Sequence, residues 1–535
     1  MHVHDAIARS VLAHDAHTMF GLIGDGNLFM ADSYARAGGK YVSVAHESAA
    51  VLAASGFARR TGGVGVATVT HGPAFTNTLT ALVEAERGSV PLVLLAGDTA
   101  VAKPESLQNI DQSLVAAAGG AGFVQLRGPG FVAADVARAF RQAALERRPI
   151  VLNMPIDLQW VEVDDFRPVV LDATRQRVRP DADALDAALG LIASAQRPLV
   201  LAGRGAMGED ARSAVLRLAR RIGAPIATTL KARDLYRSEI ESVGVFGTLS
   251  DDRTIAIAME ADCIVSFGAA LTHWTTAEND LVRHARLVQV DDDLAALGQH
   301  TAVDVGVHAD AAAAAWAFIG LLDEAEVEPS AFSTRVAARR PPSDLPSSAG
   351  DDLLISDVLR DVDAELDQDR TLVLDAGRFF HHAARLVHSR SGGGYVHTVD
   401  FGSIGLSLAT ALGVSVADPD HPTLVVIGDG GFMLGGITEF NTAVRHGLNI
   451  VVLVINDGAY GAEHIQFRRR DMDPQMSTFD WPDLAQVAHA LGGVGYSVST
   501  REELKAALAA LSHVSGPVLL DVRLDAEGIA SSRHH

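Results

Sequence analysis

The 535-residue sequence contains a single cysteine, Cys263, so no disulfide can form within the chain. Aromatic residues make up 5% of it, and 44 basic residues face 66 acidic ones, which gives a net charge of −22. A surface of that sign repels nucleic-acid backbones and anionic lipids, so we expect neither as a partner. No apolar run approaches the ~20 residues of a membrane span, and the first residues lack the pattern of a signal peptide. These absences predict a cytoplasmic protein.

Short apolar runs separated by Ala-rich helical stretches are, by contrast, abundant, and hydrophobic residues reach 48%. Near-continuous Val/Ile/Leu runs are typical of strands buried on both faces of a parallel sheet. Their alternation with helices indicates repeated βαβ units and an α/β fold of three doubly wound parallel-sheet domains. The run around Cys263 is one of them, which predicts an inert core thiol. Strands are expected at 41–46, 64–70, 91–97, 149–155, 197–203, 225–230, 262–268, 286–292, 371–377, 395–400, 423–430, 449–457 and 517–525.

Two breaks in this pattern indicate domain boundaries. Residues 172–183 are polar and without periodicity, and residues 338–352 form a linker rich in Pro, Ser and Gly. The predicted domains are therefore 1–172, 183–335 and 350–535. In open parallel sheets ligands bind beyond the carboxyl ends of the strands, where the motifs described next are placed.

The clearest chemical pattern lies between residues 428 and 463. One buried strand ends in Gly428-Asp429-Gly430-Gly431, and another ends 27–28 residues after Asp429 in Asn456-Asp457. Magnesium prefers hard oxygen ligands, several of them from phosphate and water. Two polar side chains at the tips of neighbouring strands can hold such an ion against a diphosphate, and a helix N-terminus adds partial positive charge. Gly-Asp-Gly alone is also an ordinary tight turn, but the second strand favours a metal-diphosphate site.

This segment resembles the motif of thiamine-diphosphate enzymes, which is Gly-Asp-Gly, a spacer and Asn-Asn. The resemblance spans the whole chain and is to the branch of acetolactate synthases, pyruvate decarboxylases, benzoylformate decarboxylases and benzaldehyde lyases. It implies thiamine diphosphate and Mg²⁺ as cofactors. If the spacing of the family motif is counted from Asp429 without an insertion, the second metal ligand falls on Asn456. Alignment through Tyr460 favours Asp457 and requires one inserted residue within 431–439. We prefer Asp457, with the Ala459 carbonyl as third ligand, and expect the added charge to tighten magnesium binding.

Glu47 lies at a strand-to-helix junction within residues 41–62. Stabilisation of the helix dipole would explain a lone Glu there. The resemblance implies a further role, since the family's Glu bonds the cofactor's pyrimidine ring and drives deprotonation of the thiazolium carbon. It also implies that Ile404 supports the bent cofactor. The cofactor contacts expected in total are Glu47, Gly377, Arg378, Ser403, Ile404, Gly428, Asp429, Gly430, Gly431, Asp457, Ala459 and Tyr460, with Asn456 as the alternative metal ligand.

Four further residues bear on the reaction. Asp25 stands in a stretch that resembles the Gly-Asp-X-Asn-Leu of decarboxylases, and Glu463, aligned through Tyr460, stands where those enzymes have a second carboxylate. Two such carboxylates can have their pKa values pushed apart, giving one acid and one base. Gln108 matches a glutamine of benzaldehyde lyases and acetolactate synthases, and His71 lies near a benzoylformate decarboxylase histidine. A turn at Asp25 and a solvated helix face at Glu463 remain alternatives.

The predicted activity is non-oxidative cleavage and formation of carbon–carbon bonds, by decarboxylation of a 2-oxo acid, carboligation to an acyloin, or both. The alternatives are a lyase of 2-hydroxy carbonyl compounds or 2-hydroxyacyl thioesters, and a non-catalytic cofactor-binding subunit. Residues 267–276 differ from the stretch that acetolactate synthases carry in their FAD-binding domain, so we expect no FAD. The resemblance also implies a homodimer or homotetramer in which two subunits share each cofactor.

Overall fold

The structure, a computed structural model, describes residues 1–171, 176–337, 353–390, 392–511 and 516–525. These residues form three six-stranded sheets, each with flanking helices, and the ladders are parallel, which confirms the predicted fold class. Each sheet lies inside one predicted domain, while the domain limits themselves stay a prediction. The linker 338–352 lies outside the described residues.

The first and third sheets belong to one compact unit, and the central sheet, with Val387–Tyr395, belongs to a second. The first sheet has the strand order β2-β1-β3-β4-β6-β5 and the third has β14-β13-β15-β16-β18-β17, so their topology is the same. The strands are β1 Thr18–Gly21, β2 Lys40–Ser43, β3 Gly65–Val69, β4 Leu92–Asp98, β5 Gly122–Gln125, β6 Pro149–Pro155, β7 Pro198–Ala202, β8 Ile226–Thr228, β9 Ser242–Val245, β10 Cys263–Phe267, β11 Arg286–Asp291, β12 Val305–His308, β13 Thr371–Leu374, β14 Tyr395–His397, β15 Thr423–Gly428, β16 Ile450–Asn456, β17 Val494–Val498 and β18 Val518–Arg523.

The connections between strands are mostly helical, as expected for doubly wound sheets. The helices are α1 Val3–Ala13, α2 Leu28–Arg36, α3 Glu47–Thr61, α4 Pro73–Thr76, α5 Leu79–Arg87, α6 Gln112–Ala118, α7 Val132–Glu146, α8 Ile156–Gln159, α9 Ala182–Ser194, α10 Glu209–Ile222, α11 Asp252–Glu260, α12 His273–Thr276, α13 Ala311–Glu324, α14 Phe332–Ala337, α15 Ile355–Glu365, α16 Phe380–Leu386, α17 Ser407–Ala417, α18 Asp429–Gly431, α19 Ile437–Arg445, α20 Gly461–Arg469, α21 Leu484–Ala490 and α22 Arg501–Leu511. In the part of the chain that the structure describes, no helix is long and apolar enough to cross a membrane.

Helices α3 and α17 pack closely inside the first unit, and glycine makes this approach feasible. A Cβ at Gly413 would lie 1.7 Å from the Ala53 carbonyl oxygen, and one at Gly56 would lie 2.1 Å from that of Thr410. Most of α17 is buried, as its apolar sequence requires of a helix surrounded by protein. This contact holds the middle of α3, the helix that begins at Glu47.

The central sheet has the order β12-β11-β10-β7-β8-β9, with the chain crossing over beside β7. Cys263 begins β10 in its core, and burial raises the pKa of its thiol to about 12. The thiol therefore stays protonated at neutral pH and has little nucleophilic character. The prediction of an inert core cysteine agrees with this position.

Candidate cofactor and metal site

Three neighbouring strands of the third sheet, β13, β15 and β16, are each followed by a polar residue. These residues lie at the carboxyl ends of the strands, on one side of the sheet. Arg378 follows β13, Asp429 follows β15 and Asp457 follows β16. The chain reverses its winding direction between β13 and β15, and ligands of open α/β sheets bind at such switch points. We call the residues Arg378, Asp429 and Asp457, with their immediate neighbours, the third-sheet edge.

Asp429 and Asp457 form an acidic pair beneath the surface, with exposed fractions of 2% and 8%. Burial, and then repulsion from Asp457, raises the pKa of the Asp429 carboxyl to about 7. Burial also raises the pKa of Asp457, while the charge of Arg378 opposes that rise. The Asp429 Oδ2 accepts a hydrogen bond of 2.8 Å from the Trp481 indole. Such a pair favours a cation, because buried carboxylates without one are costly.

The side chain of Asn456 is engaged elsewhere. Its amide donates to Asp521 Oδ1 at 2.7 Å, and its Oδ1 accepts from the Gly458 N–H at 3.2 Å. Asp457 is instead the residue whose charge acts on Asp429. The Asp457 carboxylate has partners too, Arg378 and the Ala459 N–H, so the preference for Asp457 over Asn456 as the second ligand stays a prediction.

A π-helical turn, Phe432–Gly436, follows the three-residue helix α18. A π-turn accommodates one residue more than an α-helical turn, and such turns are frequent at functional sites. It lies within residues 431–439, where the alignment through Tyr460 requires one inserted residue. The π-turn supplies a place for that residue, while the alignment through Tyr460 itself stays a prediction.

Glycines allow the segments around the acidic pair to approach each other. A Cβ at Gly430 would lie 2.4 Å from the Tyr460 ring. Gly405 has a positive φ of 81°, and its N–H donates to the buried Asp375 carboxylate at 2.9 Å. A Cβ at Gly405 would lie 3.0 Å from the Gly431 carbonyl, so Ile404 is held beside the Gly-Asp-Gly-Gly turn.

The residues present fit a divalent ion and a diphosphate. Asp429, Asp457 and the Ala459 carbonyl offer hard oxygen atoms of the kind that Mg²⁺ prefers. Over the described ranges, no group of three or more His, Cys, Asp and Glu side chains has the arrangement of a metal site. An ion held here would consequently need oxygen atoms from the backbone, phosphate or water as well.

The corresponding edge of the first sheet brings together three of the predicted reaction residues. Asp25, in the turn after β1, is exposed, and the neighbouring Asn27 is buried and ties that turn to Leu22 and Thr68. His71 is buried after β3, and a Cβ at Gly26 would lie 2.5 Å from its Nδ1.

The loop that carries Gln108 covers the turn after His71. A Cβ at Gly72 would lie 2.3 Å from the Gln108 carbonyl oxygen, and the Gly72 N–H donates to the buried Gln112 at 3.0 Å. With Glu47, the residues Asp25, His71 and Gln108 define what we call the first-sheet edge.

Glu47 is the first residue of α3, after the N-cap His46. Its carboxylate accepts a hydrogen bond of 3.0 Å from the Asn77 side chain. The buried Glu439 on α19 accepts a bond of 3.1 Å from the Ala45 N–H, which fixes the chain entering α3. Glu47 is thus half-buried at a helix N-terminus, with its carboxylate held by Asn77 of its own domain and the preceding backbone held by Glu439 of the third predicted domain.

Glu463 lies exposed in the first turn of α20, so a solvated helix face remains an alternative for it. The neighbouring His464 is buried, and its Nδ1 lies 3.2 Å from Ser477 Oγ. Gly377 and Ser403 lie in the loops after β13 and β14.

Sequence reasoning missed Trp481, Asn77, Gln112 and His464. Trp481 is one of four tryptophans in the chain and stands in a polar stretch, which is unusual for an aromatic residue and could have drawn attention. Its ring stacks on Phe479 at 4.7 Å, and Phe479 contacts Tyr460 edge-on at the same distance. Asn77, Gln112 and His464 show no sequence signal that separates them from other polar residues.

Two parallel sheets of the same strand order, one with a buried acidic pair at its switch point and the other with a carboxylate at a helix start, are the arrangement that the resemblance to thiamine-diphosphate enzymes implies. The chain matches the thiamine pyrophosphate enzyme N-terminal TPP binding domain over residues 1–115, the central domain over 185–318 and the C-terminal TPP binding domain over 375–522. It belongs to the thiamine pyrophosphate enzyme family, in the branch of acetolactate synthases and pyruvate decarboxylases.

Similar proteins span almost the full chain. A putative acetolactate synthase large subunit of Mycobacterium tuberculosis is 29% identical over 92% of this chain and 92% of its own length. An acetolactate synthase large subunit of Parasynechococcus marenigrum is 29% identical over 97% of this chain and 87% of its own. A sulfoacetaldehyde acetyltransferase of Castellaniella defragrans is 26% identical over 94% and 89%.

Proposed function

We propose that the protein is a thiamine-diphosphate- and Mg²⁺-dependent carboligase that decarboxylates a 2-oxo acid and joins the remaining acyl group to a second carbonyl, giving an acyloin. The observation that carries this proposal is the buried Asp429–Asp457 pair at the switch point of the third sheet. The acetolactate synthases among the similar proteins support carboligation as the reaction type.

In this proposal Asp429, Asp457 and the Ala459 carbonyl hold the metal against the diphosphate, and Gly428, Gly430 and Gly431 let the backbone approach it. When bound, thiamine diphosphate supplies a nucleophilic carbon and an electron sink for the bond that breaks. Ile404, fixed by Gly405 beside this turn, supports the bent cofactor.

Glu47 holds a proton at the pyrimidine nitrogen of the cofactor. Asn77 orients its carboxyl group, and the start of α3 leaves the group accessible. In this proposal Asp25, His71 and Gln108, whose loops meet at the first-sheet edge, bind the substrate's carboxylate or carbonyl and move protons. Glu463 is the remaining proton donor in the proposal.

We also propose that the two edges meet between copies of the chain, as homodimer or homotetramer. Large hydrophobic side chains are exposed at both edges, among them Ile23 (56%) and Leu107 (100%) at the first, and Leu434 (63%) and Met476 (85%) at the third. Where such side chains form a contiguous patch, the patch marks an interaction surface. Pairing of copies would cover them and add Glu47 of one chain to the metal site of another.

A direct test is to incubate the protein, loaded with thiamine diphosphate and Mg²⁺, with a panel of 2-oxo acids. Acceptors would include 2-oxo acids, aldehydes and sulfoacetaldehyde, with carbon dioxide and acyloin followed by mass spectrometry. We expect both products. Cleavage of acyloins with no release of carbon dioxide from any 2-oxo acid would favour the lyase instead. Absence of turnover on all of these would favour a cofactor-binding subunit.

A further inference from the structure

An ion pair joins the loop after β13 to the loop after β16. The Nε of Arg378 lies 2.6 Å from Asp457 Oδ2, and each of these side chains is only 5% exposed. The other carboxylate oxygen, Oδ1, accepts the Ala459 N–H at 3.1 Å. A metal ion at Asp457 would therefore share its carboxylate with a guanidinium that cannot lose its charge.

The backbone holds Arg378 in this position. Gly377, which precedes it, has a φ of 151°, which side-chain-bearing residues rarely adopt. A Cβ at Gly461 would lie 2.5 Å from the Arg378 Cδ, so the guanidinium arm lies across the start of α20, where any larger residue would collide with it. Two glycines thus leave room for an arginine beside the acidic pair.

The charge of this arrangement bears on the difference between Asp457 and the Asn of the family motif. The family has Asn where this chain has Asp457, and an Asp adds one negative charge. The Arg378 guanidinium offsets that charge, so the three side chains together carry the same formal charge as an Asp and an Asn. The sequence led us to expect that the added charge of Asp457 tightens magnesium binding. The Arg378 guanidinium, which that expectation left out, opposes this effect.

We propose, resting on the proposed function, that Arg378 makes binding of the divalent ion dependent on the diphosphate. Guanidinium and metal compete for the Asp457 carboxylate, since two cations at one carboxylate repel each other. A diphosphate supplies several anionic oxygens and is a bidentate partner that suits guanidinium. Bound diphosphate therefore draws the guanidinium from Asp457, which becomes free to bind the metal.

Binding of Mn²⁺, measured by electron paramagnetic resonance with and without inorganic pyrophosphate, tests this directly. In the wild-type protein we expect pyrophosphate to increase Mn²⁺ affinity by about tenfold or more. In Arg378→Gln, Mn²⁺ alone should bind about tenfold more tightly, and the gain from pyrophosphate should shrink accordingly. Arg501→Gln, which removes an ion pair to Asp361 on another face of the domain, should behave as wild type.

Arg378→Gln leaves the buried Asp457 carboxylate without its cation, which can prevent folding. A second variant covers that case. The double variant Arg378→Gln/Asp457→Asn restores the family's charge arrangement. Its melting temperature in EDTA should return towards that of the wild type. Equal Mn²⁺ affinity of wild type and Arg378→Gln without pyrophosphate, or a double variant no more stable than the single one, would overturn the inference while leaving the function intact. Absence of Mn²⁺ and thiamine diphosphate binding in every protein would overturn both.

Discussion

The first and third sheets have the same strand order, yet their switch points carry different chemistry. The third-sheet edge is buried and closely bonded, with Asp429 tied to Trp481 and Asp457 tied to Arg378. The first-sheet edge is more open, with Asp25 exposed and Glu47 half-buried. One topology thus serves two tasks in our account: the third sheet holds an ion and its anion, and the first presents proton-handling groups.

The difference follows from what each task needs. A metal-diphosphate site needs charges placed in a low-dielectric environment, where electrostatic interactions are strong. A site that exchanges protons with a substrate needs groups that the substrate can reach. Among the described residues, the hydrogen bond that we find for the Glu47 side chain is to Asn77 of its own domain. In the proposed function the two edges are complementary parts of one site, and each prediction below tests one of them.

The largest effect is expected at Glu47. Glu47→Gln removes the ionisable proton at the pyrimidine nitrogen and should lower the rate of acyloin formation by about 10²–10⁴-fold. Cofactor affinity, measured by titration calorimetry, should change little because the third-sheet edge is intact. Glu502→Gln, at the exposed start of α22, is the matched control for a helix-start carboxylate. Full activity of Glu47→Gln would remove the first-sheet edge from the mechanism.

The next effect concerns the metal. Asp429→Asn should weaken binding of thiamine diphosphate in the presence of Mg²⁺ by about a hundredfold, since one of two carboxylate ligands is lost. Calorimetry with and without EDTA measures it. If affinity is unchanged while Mg²⁺ is still required, the ion is held elsewhere and the third-sheet edge is wrongly assigned.

A smaller effect is expected at Trp481. Trp481→Phe keeps the stacking on Phe479 but removes the indole hydrogen bond to Asp429, a loss of about 1–3 kcal/mol. The melting temperature should fall, and Mg²⁺-dependent cofactor binding should weaken several-fold. Trp274→Phe changes a tryptophan that is 61% exposed and should do neither. Equal behaviour of both variants would contradict a role for this bond.

A last effect is a pH dependence of stability without metal. The folded-state pKa of Asp429 is about 7, above its ordinary 3.8, so the folded protein binds more protons than the unfolded chain between these values. The contribution of Asp429 to stability should therefore fall as pH rises from about 4 to about 7 and then level off. Urea unfolding in EDTA at several pH values should show a steeper decline for wild type than for Asp429→Asn. Parallel profiles would contradict the burial of this charge.

Much of the fold could be predicted from sequence, and four of the five exceptions have a common cause. All thirteen expected strands have counterparts in the sheets, whereas β1, β5, β9, β12 and β17 were not predicted. Four of these five are the outermost strands of their sheets, which have a neighbouring strand on one side only and a weaker apolar pattern. The fifth, β1, is internal but only four residues long.

The candidate site was predictable where a residue type and its spacing carry the signal. Asp429 and Asp457 stand at the ends of apolar strands, and Glu47 stands at a helix start. Arg378 was expected near the diphosphate, but its pairing with Asp457 depends on loop geometry after β13 that no local pattern encodes. The π-helical turn at Phe432–Gly436, where an inserted residue would fit, likewise has no local sequence pattern that predicts it.

The central claim is that Glu47 of one chain serves the metal site of another, and mixing two inactive variants tests it most directly. Glu47→Gln and Asp429→Asn protein would be unfolded together, refolded and assayed for acyloin formation. If the site lies between chains, half of random dimers are mixed and each has one intact site, so the mixture should regain about a quarter of wild-type activity. If the site is built within one chain, every site carries a substitution. No recovery, with mixed dimers confirmed by native mass spectrometry, would contradict the account.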